Sequence, residues 1–370
     1  MKSNFDIVII GGGAIGTSMF RDATMRGFSA CLVEANSVGG KTTASSHQNL
    51  LGGMRYAVTD PTVAAECATE NRTMSKIAPS IVSDRLNVFV GSDEEYAENA
   101  MRNAKRIGVY YKQIPREDIS REIPDLSGNL TVFLETADRN IDSTRLCTLN
   151  CDAGIIHGGV LREHCRVLSI KSCSDGFALK CGDHDELDCR FAINASGPWI
   201  EEIAAMIGGR IRATYRQGTI CVLQSRSPYG LQRLHHPSDG DAYIVHGEYA
   251  WLGTTSYLLQ LPSEARVLDG DVEYLKRNFS NVLPQIIDDV PITSFVGVRT
   301  FVAGSHPGLI ADGRDLSRGI SLVESFPNLL SVAGGKLTTA RLAAERIMNL
   351  ISSRLGSKKG SSTSETRLDE

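Results

Sequence analysis

Short apolar runs followed by helical patterns mark the start, the middle and the end of the chain. Residues 5–10 form the first run, and the same order returns after residues 192–195 and residues 329–333. Between these units, residues 160–190 are typical of a β-meander and residues 211–256 of successive strands, which indicates antiparallel insertions. This arrangement predicts an α/β fold, in which a Rossmann-like domain is interleaved with a second domain built on a mainly antiparallel sheet.

The pattern also predicts where the two domains divide, because the strand–turn–helix units are separated along the chain. Residues near the end are rich in serine and charge and have no apolar period, which is typical of a disordered segment. The expected divisions are a first domain of residues 1–85, 140–208 and 290–352, a second domain of residues 86–139 and 209–289, and a disordered tail of residues 353–370.

A glycine-rich loop follows the first apolar run, at residues 11–16. In a dinucleotide-binding turn, Gly11 would permit the tight bend, Gly13 would let the backbone approach a pyrophosphate, and Gly16 would let helix and strand pack closely. Glu34 closes the second predicted strand, where a carboxylate can accept hydrogen bonds from both hydroxyls of an adenosine ribose. The sequence therefore predicts a dinucleotide site that favours FAD or NAD over NADP.

Composition narrows the class of protein. The net charge of −4, from 39 basic and 43 acidic residues, argues against a general nucleic-acid surface. No apolar run approaches the ~20 residues of a membrane span, and the chain enters its first strand without a secretory signal. The nine cysteines include no CxxC pair, so we expect neither a disulfide framework nor a metal site. These features favour a cytoplasmic protein.

Several further segments resemble FAD-dependent glycerol-3-phosphate dehydrogenases, and most closely the flavin subunit of the anaerobic type, in the D-amino-acid-oxidase-like superfamily. The segments that carry the resemblance are Ser45-Ser46-His47, Gly52-Gly53-Met54-Arg55-Tyr56-Ala57-Val58-Thr59-Asp60, Asn194-Ala195-Ser196-Gly197-Pro198-Trp199, Gly297-Val298-Arg299, Ser317-Arg318-Gly319 and Gly334-Gly335-Lys336-Leu337-Thr338-Thr339-Ala340-Arg341.

The resemblance implies that the first domain binds FAD and that the second covers the substrate. Lys336, in a turn that would open a helix, is implied to stabilise the negative charge that the flavin gains on accepting a hydride. The residues implied to bind the cofactor are Gly11, Gly13, Ala14, Ile15, Gly16, Glu34, Thr42, Ser45, Ser46, His47, Val167, Ser196, Gly197, Trp199, Gly335, Lys336, Leu337 and Thr338.

The resemblance also implies oxidation of sn-glycerol 3-phosphate to dihydroxyacetone phosphate by hydride transfer to flavin N5. The substrate phosphate would be held by Arg55, Arg299 and Arg318, because forked guanidinium groups suit a dianion. Relatives usually carry histidine where this chain has Leu51, and leucine cannot take a proton. The base is therefore expected to be His235 or His236, with His47 a less favoured substitute.

Two alternatives stay open at this stage. Because of the leucine at position 51, the substrate could be another small 2-hydroxy acid or an amino acid. The chain could also be a flavin-binding subunit with little turnover. The sequence names no electron acceptor, which could be a quinone, a partner subunit or oxygen, and it leaves open the oligomeric state and any peripheral attachment to the inner face of the membrane.

Overall fold

The computed structural model describes residues 3–182, 185–236, 241–302, 319–356 and 359–369. In this part of the chain the helices are α1 (Ala14–Met25), α2 (Pro61–Ile77), α3 (Glu94–Ile107), α4 (Arg116–Glu122), α5 (Ser143–Ile156), α6 (Ile200–Ala205), α7 (Asp271–Phe279) and α8 (Ala340–Leu355). Among them, none is both long enough and apolar enough to cross a bilayer.

The strands divide between two sheets. They are β1 (Ser3–Ile10), β2 (Ala30–Val33), β3 (Asn49–Leu50), β4 (Val82–Gly91), β5 (Tyr111–Gln113), β6 (Val132–Ile141), β7 (Val160–Arg162), β8 (Val167–Cys173), β9 (Gly176–Cys181), β10 (Asp185–Asn194), β11 (Ala213–Gln224), β12 (Leu231–Arg233), β13 (Ala242–His246), β14 (Tyr249–Gly253), β15 (Tyr257–Leu259), β16 (Thr293–Val302), β17 (Ile320–Phe326) and β18 (Leu329–Gly334).

The first sheet has the order β17-β18-β10-β1-β2-β7, and the β8–β9 hairpin pairs with β10. The neighbouring strands β18, β10, β1, β2 and β7 are parallel. Because side chains alternate along β1, Ile7 and Ile9 pack beneath α1, α5 and α8, whereas Val8 and Ile10 pack against the hairpin. Both faces are therefore covered, as a parallel sheet requires.

The second sheet has the order β15-β11-β14-β13-β12-β4-β6-β3, with β16 also paired to β11 and β5 to β6. Its pairs are antiparallel except for β12 with β4. One core joins Tyr243 and Leu252 to Leu275 and Phe279 of α7. The predicted fold class, a Rossmann-like domain with an interleaved, mainly antiparallel sheet, is confirmed.

The predicted domain boundaries stay a prediction, and two segments lie elsewhere than expected. Strands β3 and β16 belong to the second sheet, although both fall within ranges assigned to the first domain. β16 pairs residue for residue with β11 from Ala213 opposite Val302 to Val222 opposite Thr293. This long antiparallel register holds Gly297-Val298-Arg299 in the second sheet.

The end of the chain corrects the predicted disordered tail of residues 353–370. Helix α8 extends to Leu355, and residues 359–369 pack against α1 and α2. The buried guanidinium of Arg21 donates to the carbonyl oxygens of Thr363 and Thr366, at 3.4 and 2.6 Å. The backbone N–H of Leu368 donates to Ile77 O at 2.7 Å, and its side chain is buried. Serine-rich composition did not reveal these contacts because the acceptors needed by Arg21 are backbone carbonyls.

Candidate functional site

A cleft of about 690 Å³ lies between the two sheets. One wall is made by the loops that follow β1, β2, β10 and β18, at the carboxyl ends of parallel strands, where α/β sheets bind ligands. The opposite wall comes from β11, β14 and β16, including Gly218 and Arg299. The segment from Gly39 to Asn49 lines the cleft between them, apart from Ala44.

The glycine loop is shaped as its sequence predicts. Gly11 has φ +110°, a left-handed conformation that favours glycine, and a Cβ there would lie 2.5 Å from Ala195 O. A Cβ on Gly16 would lie 1.9 Å from Gly11 O, so the loop and α1 could not pack as they do. The helix therefore begins at the floor of the cleft, where Thr43 Oγ1 accepts a hydrogen bond from Ala14 N at 3.1 Å.

Glu34 follows β2 and reaches across to the glycine loop. Its Oε2 accepts a hydrogen bond from Gly12 N at 2.7 Å, and its Oε1 accepts one from Asn36 N at 2.8 Å. Each carboxylate oxygen has a second lone pair, so the residue can still accept hydrogen bonds from a ribose. Glu34 thus holds the loop and faces the cleft at the same time, and its role toward ribose stays a prediction.

The Gly334–Leu337 turn forms another part of this wall. Gly334 and Gly335 have φ values of +77° and +80°. The following helix starts at Ala340, so Lys336 does not stand directly at a helix N-terminus as predicted. Its ammonium instead lies 4.6 Å from the ring centroid of Tyr56, which places a cation at the wall of the cleft.

Thr338 has a different position from the other predicted cofactor residues. It does not line the cleft, and its Oγ1 accepts a hydrogen bond from the backbone N–H of Leu51 at 2.9 Å. The remaining seventeen do line the cleft: Gly11, Gly13, Ala14, Ile15, Gly16, Glu34, Thr42, Ser45, Ser46, His47, Val167, Ser196, Gly197, Trp199, Gly335, Lys336 and Leu337.

Arg55 is predicted to hold phosphate, but the structure pairs it with protein groups. Its Nη1 donates to both carboxylate oxygens of Asp241 at 3.1 Å, and its Nη2 donates to Gln232 Oε1 at 3.1 Å. The side-chain amide of Gln232 donates through Nε2 to Asp138 Oδ2 at 2.9 Å. The other carboxylate oxygen, Asp138 Oδ1, accepts from Gly52 N at 2.7 Å. Burial raises the pKa of Asp138, although these hydrogen bonds oppose the shift.

Arg299 presents its guanidinium to the cleft from β16. Its Nη2 donates to Thr255 O at 2.8 Å and to Thr254 Oγ1 at 3.3 Å. Gly218 leaves room for it, because a Cβ there would lie 2.7 Å from the same nitrogen. Arg216 pairs directly opposite Arg299, a like-charge arrangement that sequence analysis missed because it depends on the β11–β16 register. Arg318 lies outside the described residues.

His47 is the histidine that the structure brings to the cleft. Its Nε2 is buried and has no hydrogen-bond partner within the described ranges, and its carbonyl oxygen accepts from His246 Nε2 at 3.1 Å. Burial and the nearby guanidinium groups of Arg55 and Arg299 lower the pKa of His47 to about 3. The imidazole is therefore neutral, with a free lone pair or a free N–H at Nε2.

The two histidines favoured from sequence lie elsewhere. His235 Nε2 is 3.7 Å from Asp241 Oδ2, His236 is exposed, and neither lines the cleft. Leu51 does line it. A base must reach the proton that it removes, so this placement does not favour His235 or His236, whose catalytic role stays a prediction. Asp241, which also lines the cleft, was missed because no local motif marks it.

The buried thiols lack neighbours suited to metal binding among the residues that the structure describes. Across the described ranges, no group of three or more histidine, cysteine, aspartate or glutamate side chains could hold an ion. Burial raises the pKa of Cys147 to about 12, and the pKa of Cys151 is raised as well, whereas metal ligation requires thiolates.

Comparison with known proteins identifies the family of this chain and the class of reaction that the family carries out. Residues 6–347 match the family model described as FAD dependent oxidoreductase, DAO. The chain belongs to this family. Its cofactor is FAD, and it is an oxidoreductase.

Curated relatives of this FAD dependent oxidoreductase include two proteins that are named as subunits of anaerobic glycerol-3-phosphate dehydrogenase, one from Haloferax volcanii and one from Escherichia coli K12. Each is 27% identical to this chain. The alignments cover 96% and 98% of this chain, and 65% and 70% of those proteins. The chain thus spans about two thirds of the length of these relatives.

Solved structures share the fold. Glycine oxidase from Geobacillus kaustophilus has a TM-score of 0.77 at 17% identity, with 99% of this chain and 98% of that chain covered. The FAD complex of glycerol-3-phosphate dehydrogenase from Bacillus halodurans has a TM-score of 0.76 at 19% identity, with 98% and 67% covered. At these identities the likeness concerns the fold alone.

The residues of the cleft fit FAD. Gly11 and Gly16 keep the loop clear of the side chains that would fill it, and Glu34 stands beside the loop with acceptor oxygens. The volume of about 690 Å³ lies within the range of about 300–1,000 Å³ that is usual for cofactor and ligand sites. The glycine loop, Glu34 and Lys336 are the groups that would hold FAD, which would supply a hydride acceptor.

Proposed function

We propose that this oxidoreductase converts sn-glycerol 3-phosphate to dihydroxyacetone phosphate. The proposal is carried by Arg299, whose guanidinium faces the cleft in a space that Gly218 leaves open. A planar fork of donors suits a phosphate dianion. The names of the relatives from Haloferax volcanii and Escherichia coli support the same substrate.

The positive groups of the site have separable roles in this proposal. Arg299 binds phosphate, together with Arg318 if that residue acts as the resemblance implies. Arg55 is partly neutralised by Asp241, so it orients the substrate more than it supplies net charge. Lys336, held over Tyr56, brings positive charge to the cofactor side of the cleft and stabilises the negative charge that reduction creates there.

FAD, held by the glycine loop, Glu34 and Lys336, would supply the hydride acceptor for this oxidation. The chain's own contribution is to hold the phosphate, to exclude water between the two sheets and to accept the hydroxyl proton. We further propose that electrons leave through a partner subunit, because the curated relatives are named as members of a multi-subunit enzyme. Location in the cytoplasm, with peripheral membrane attachment, belongs to the same proposal.

One observation favours a second candidate, a 2-hydroxy acid or an amino acid as substrate. Leu51 lines the cleft where the glycerol-3-phosphate dehydrogenase resemblance implies histidine. A site for a carboxylate substrate would need a guanidinium such as Arg299 but no capacity for a dianion. The two candidates therefore differ in the substrate group that Arg299 would bind, which is a phosphate dianion in the first and a carboxylate in the second.

Anaerobic reduction of the bound flavin decides between them. We expect glycerol 3-phosphate to bleach the flavin absorbance, with glycerol, lactate and glycine far slower. Arg299→Lys should raise the substrate concentration needed for half-maximal reduction, because lysine cannot form the bidentate fork. The matched control is Arg102→Lys, in an exposed ion pair with Glu98, which should behave as the parent. Equal reduction by glycerol and glycerol 3-phosphate would overturn the proposal.

A further inference from the structure

The proposed oxidation needs a group that takes the hydroxyl proton, and Leu51 cannot do so. A suitable group must reach the cleft, must be unprotonated at neutral pH and must not already be committed to other partners. The inference that follows rests on the proposed function and concerns which residue of this chain meets these conditions.

The acidic residues near the cleft fail the third condition. Glu34 accepts from Gly12 N and Asn36 N. Glu202 pairs with Arg166. Asp241 accepts from Arg55 through both carboxylate oxygens. Asp138 is fully buried and accepts from Gln232 and Gly52. Protonating either aspartate would break these interactions, which hold the cleft wall together.

His47 meets all three conditions. It lies in the cleft wall on the segment between the glycine loop and the second sheet, and its Nε2 is buried with no partner in the part of the chain that the structure describes. His246 donates to the backbone carbonyl oxygen of His47, so this hydrogen bond does not occupy the imidazole ring. A buried polar atom without a partner is uncommon in proteins, and one in the wall of a cleft is placed where a ligand group can bind it.

The charges around His47 link its basicity to the substrate. The groups that act on it are Arg55, Asp241, His246 and Arg299, and the two arginines disfavour a proton on the ring. A bound phosphate dianion offsets their positive charge, so the imidazole becomes more basic when the substrate is in place. Proton acceptance is therefore favoured in the complex and disfavoured in the empty cleft.

We propose that His47 is the proton acceptor of the oxidation. The O–H bond at C2 of the substrate breaks and its proton moves to His47 Nε2. The C2–H bond breaks with its electron pair, which leaves as hydride to FAD, and the electrons of the former O–H bond complete the C2=O double bond. FAD is the oxidant, and the proton returns to solvent from His47 after the product leaves.

The test compares His47→Gln and His47→Asn with a matched control. His157→Gln makes the same chemical change at an exposed histidine at the end of α5. Anaerobic stopped flow with glycerol 3-phosphate separates the limiting rate of flavin reduction from the substrate dissociation constant. We expect both His47 variants to lose at least about 100-fold in the limiting rate, the usual contribution of a general base, with bound FAD and substrate affinity kept.

A second readout distinguishes proton acceptance from a structural role. In the parent, the limiting rate should fall as pH is lowered through the pKa of His47 in the substrate complex. In the glutamine variant that dependence should vanish, because no titrating ring remains. A merely structural histidine would leave the shape of the profile unchanged.

Parent-like rates in both His47 variants would overturn the assignment, as would a loss confined to FAD retention or substrate affinity. Large rate losses in His235→Gln or His236→Gln, with none at His47, would transfer the role to those residues. Failure of the proposed function is seen separately, in a parent that only a 2-hydroxy acid reduces. The same variants are then compared with that substrate, whose hydroxyl proton still needs an acceptor.

Discussion

Arg55 and Asp241 form a close ion pair at the wall of the cleft, with Nη1 of the arginine 3.1 Å from each carboxylate oxygen. Their side chains are 17% and 6% exposed, so both charges have lost most of their water. A buried pair of this kind is costly to break on one side, because the remaining charge is left without compensation.

Arg55→Met should therefore lower the free energy of unfolding by about 3 kcal/mol. The double variant Arg55→Met with Asp241→Leu should recover most of that loss, since no charge is stranded. The exposed pair of Arg121 with Asp118 supplies the control, and Arg121→Met should cost less than about 1 kcal/mol. Denaturant unfolding of the holoenzymes measures all three. If the Arg55 and Arg121 variants lost the same free energy of unfolding, the charge of Asp241 would not need Arg55 to compensate it.

Glu34→Ala should weaken FAD binding by about 1–3 kcal/mol, the range for losing a charged hydrogen-bond partner. The structural reason is that the carboxylate accepts a hydrogen bond from Gly12 N and also lines the cleft. Flavin fluorescence during titration of the apoprotein measures the dissociation constant. Glu248→Ala, at an exposed glutamate, is the control. Unchanged affinity in the Glu34 variant would limit that residue to holding the loop.

His47 should make stability depend on pH in a defined direction. The unfolded ring has a pKa of about 6.5, and the folded ring has one lowered to about 3. Between these values the unfolded state binds a proton that the folded state does not, so stability is present above about pH 6.5 and is lost as pH falls. Thermal unfolding from about pH 7 to pH 5 should show a shallower decline in His47→Gln. A parallel decline in both proteins would contradict the shift.

Leu368→Ala should lower the free energy of unfolding by about 2 kcal/mol, at the small end of the range for a buried leucine. The side chain packs among Leu50, Ile77 and Leu146, so its removal leaves a cavity. Leu258→Ala, at a leucine that is 59% exposed, should change little. If both variants unfold with the same midpoint as the parent, the end of the chain does not pack in solution.

Local motifs predicted which residues line the wall formed by the loops after β1, β2, β10 and β18, because backbone constraints act over a few residues. Gly11 and Gly16 leave no room for a side chain, and these constraints are visible in the spacing of glycines alone. Glu34 was found for the same reason, since it ends the strand next to the loop. The second wall was harder to predict, because its residues meet only through long-range strand pairing.

The histidines show most clearly that long-range placement is hard to predict from sequence. His235 and His236 are favoured by the sequence, yet neither lines the cleft. His47 was less favoured from sequence, but its position depends on how residues 39–49 cross between the sheets. Composition misled at residues 359–369 because it records the polarity of side chains, whereas this segment binds chiefly through its backbone.

The pairing of β10 with strands from distant parts of the chain has a consequence for biosynthesis. This strand lies between β1, from the beginning of the chain, and β18, from near its end. A ribosome therefore releases the glycine loop long before the strand that completes the same sheet has been made. Non-local pairing of this kind is slow to form and leaves apolar strand edges uncovered in the meantime. The nascent chain should depend on chaperones until β18 and α8 emerge, and flavin should be captured after translation.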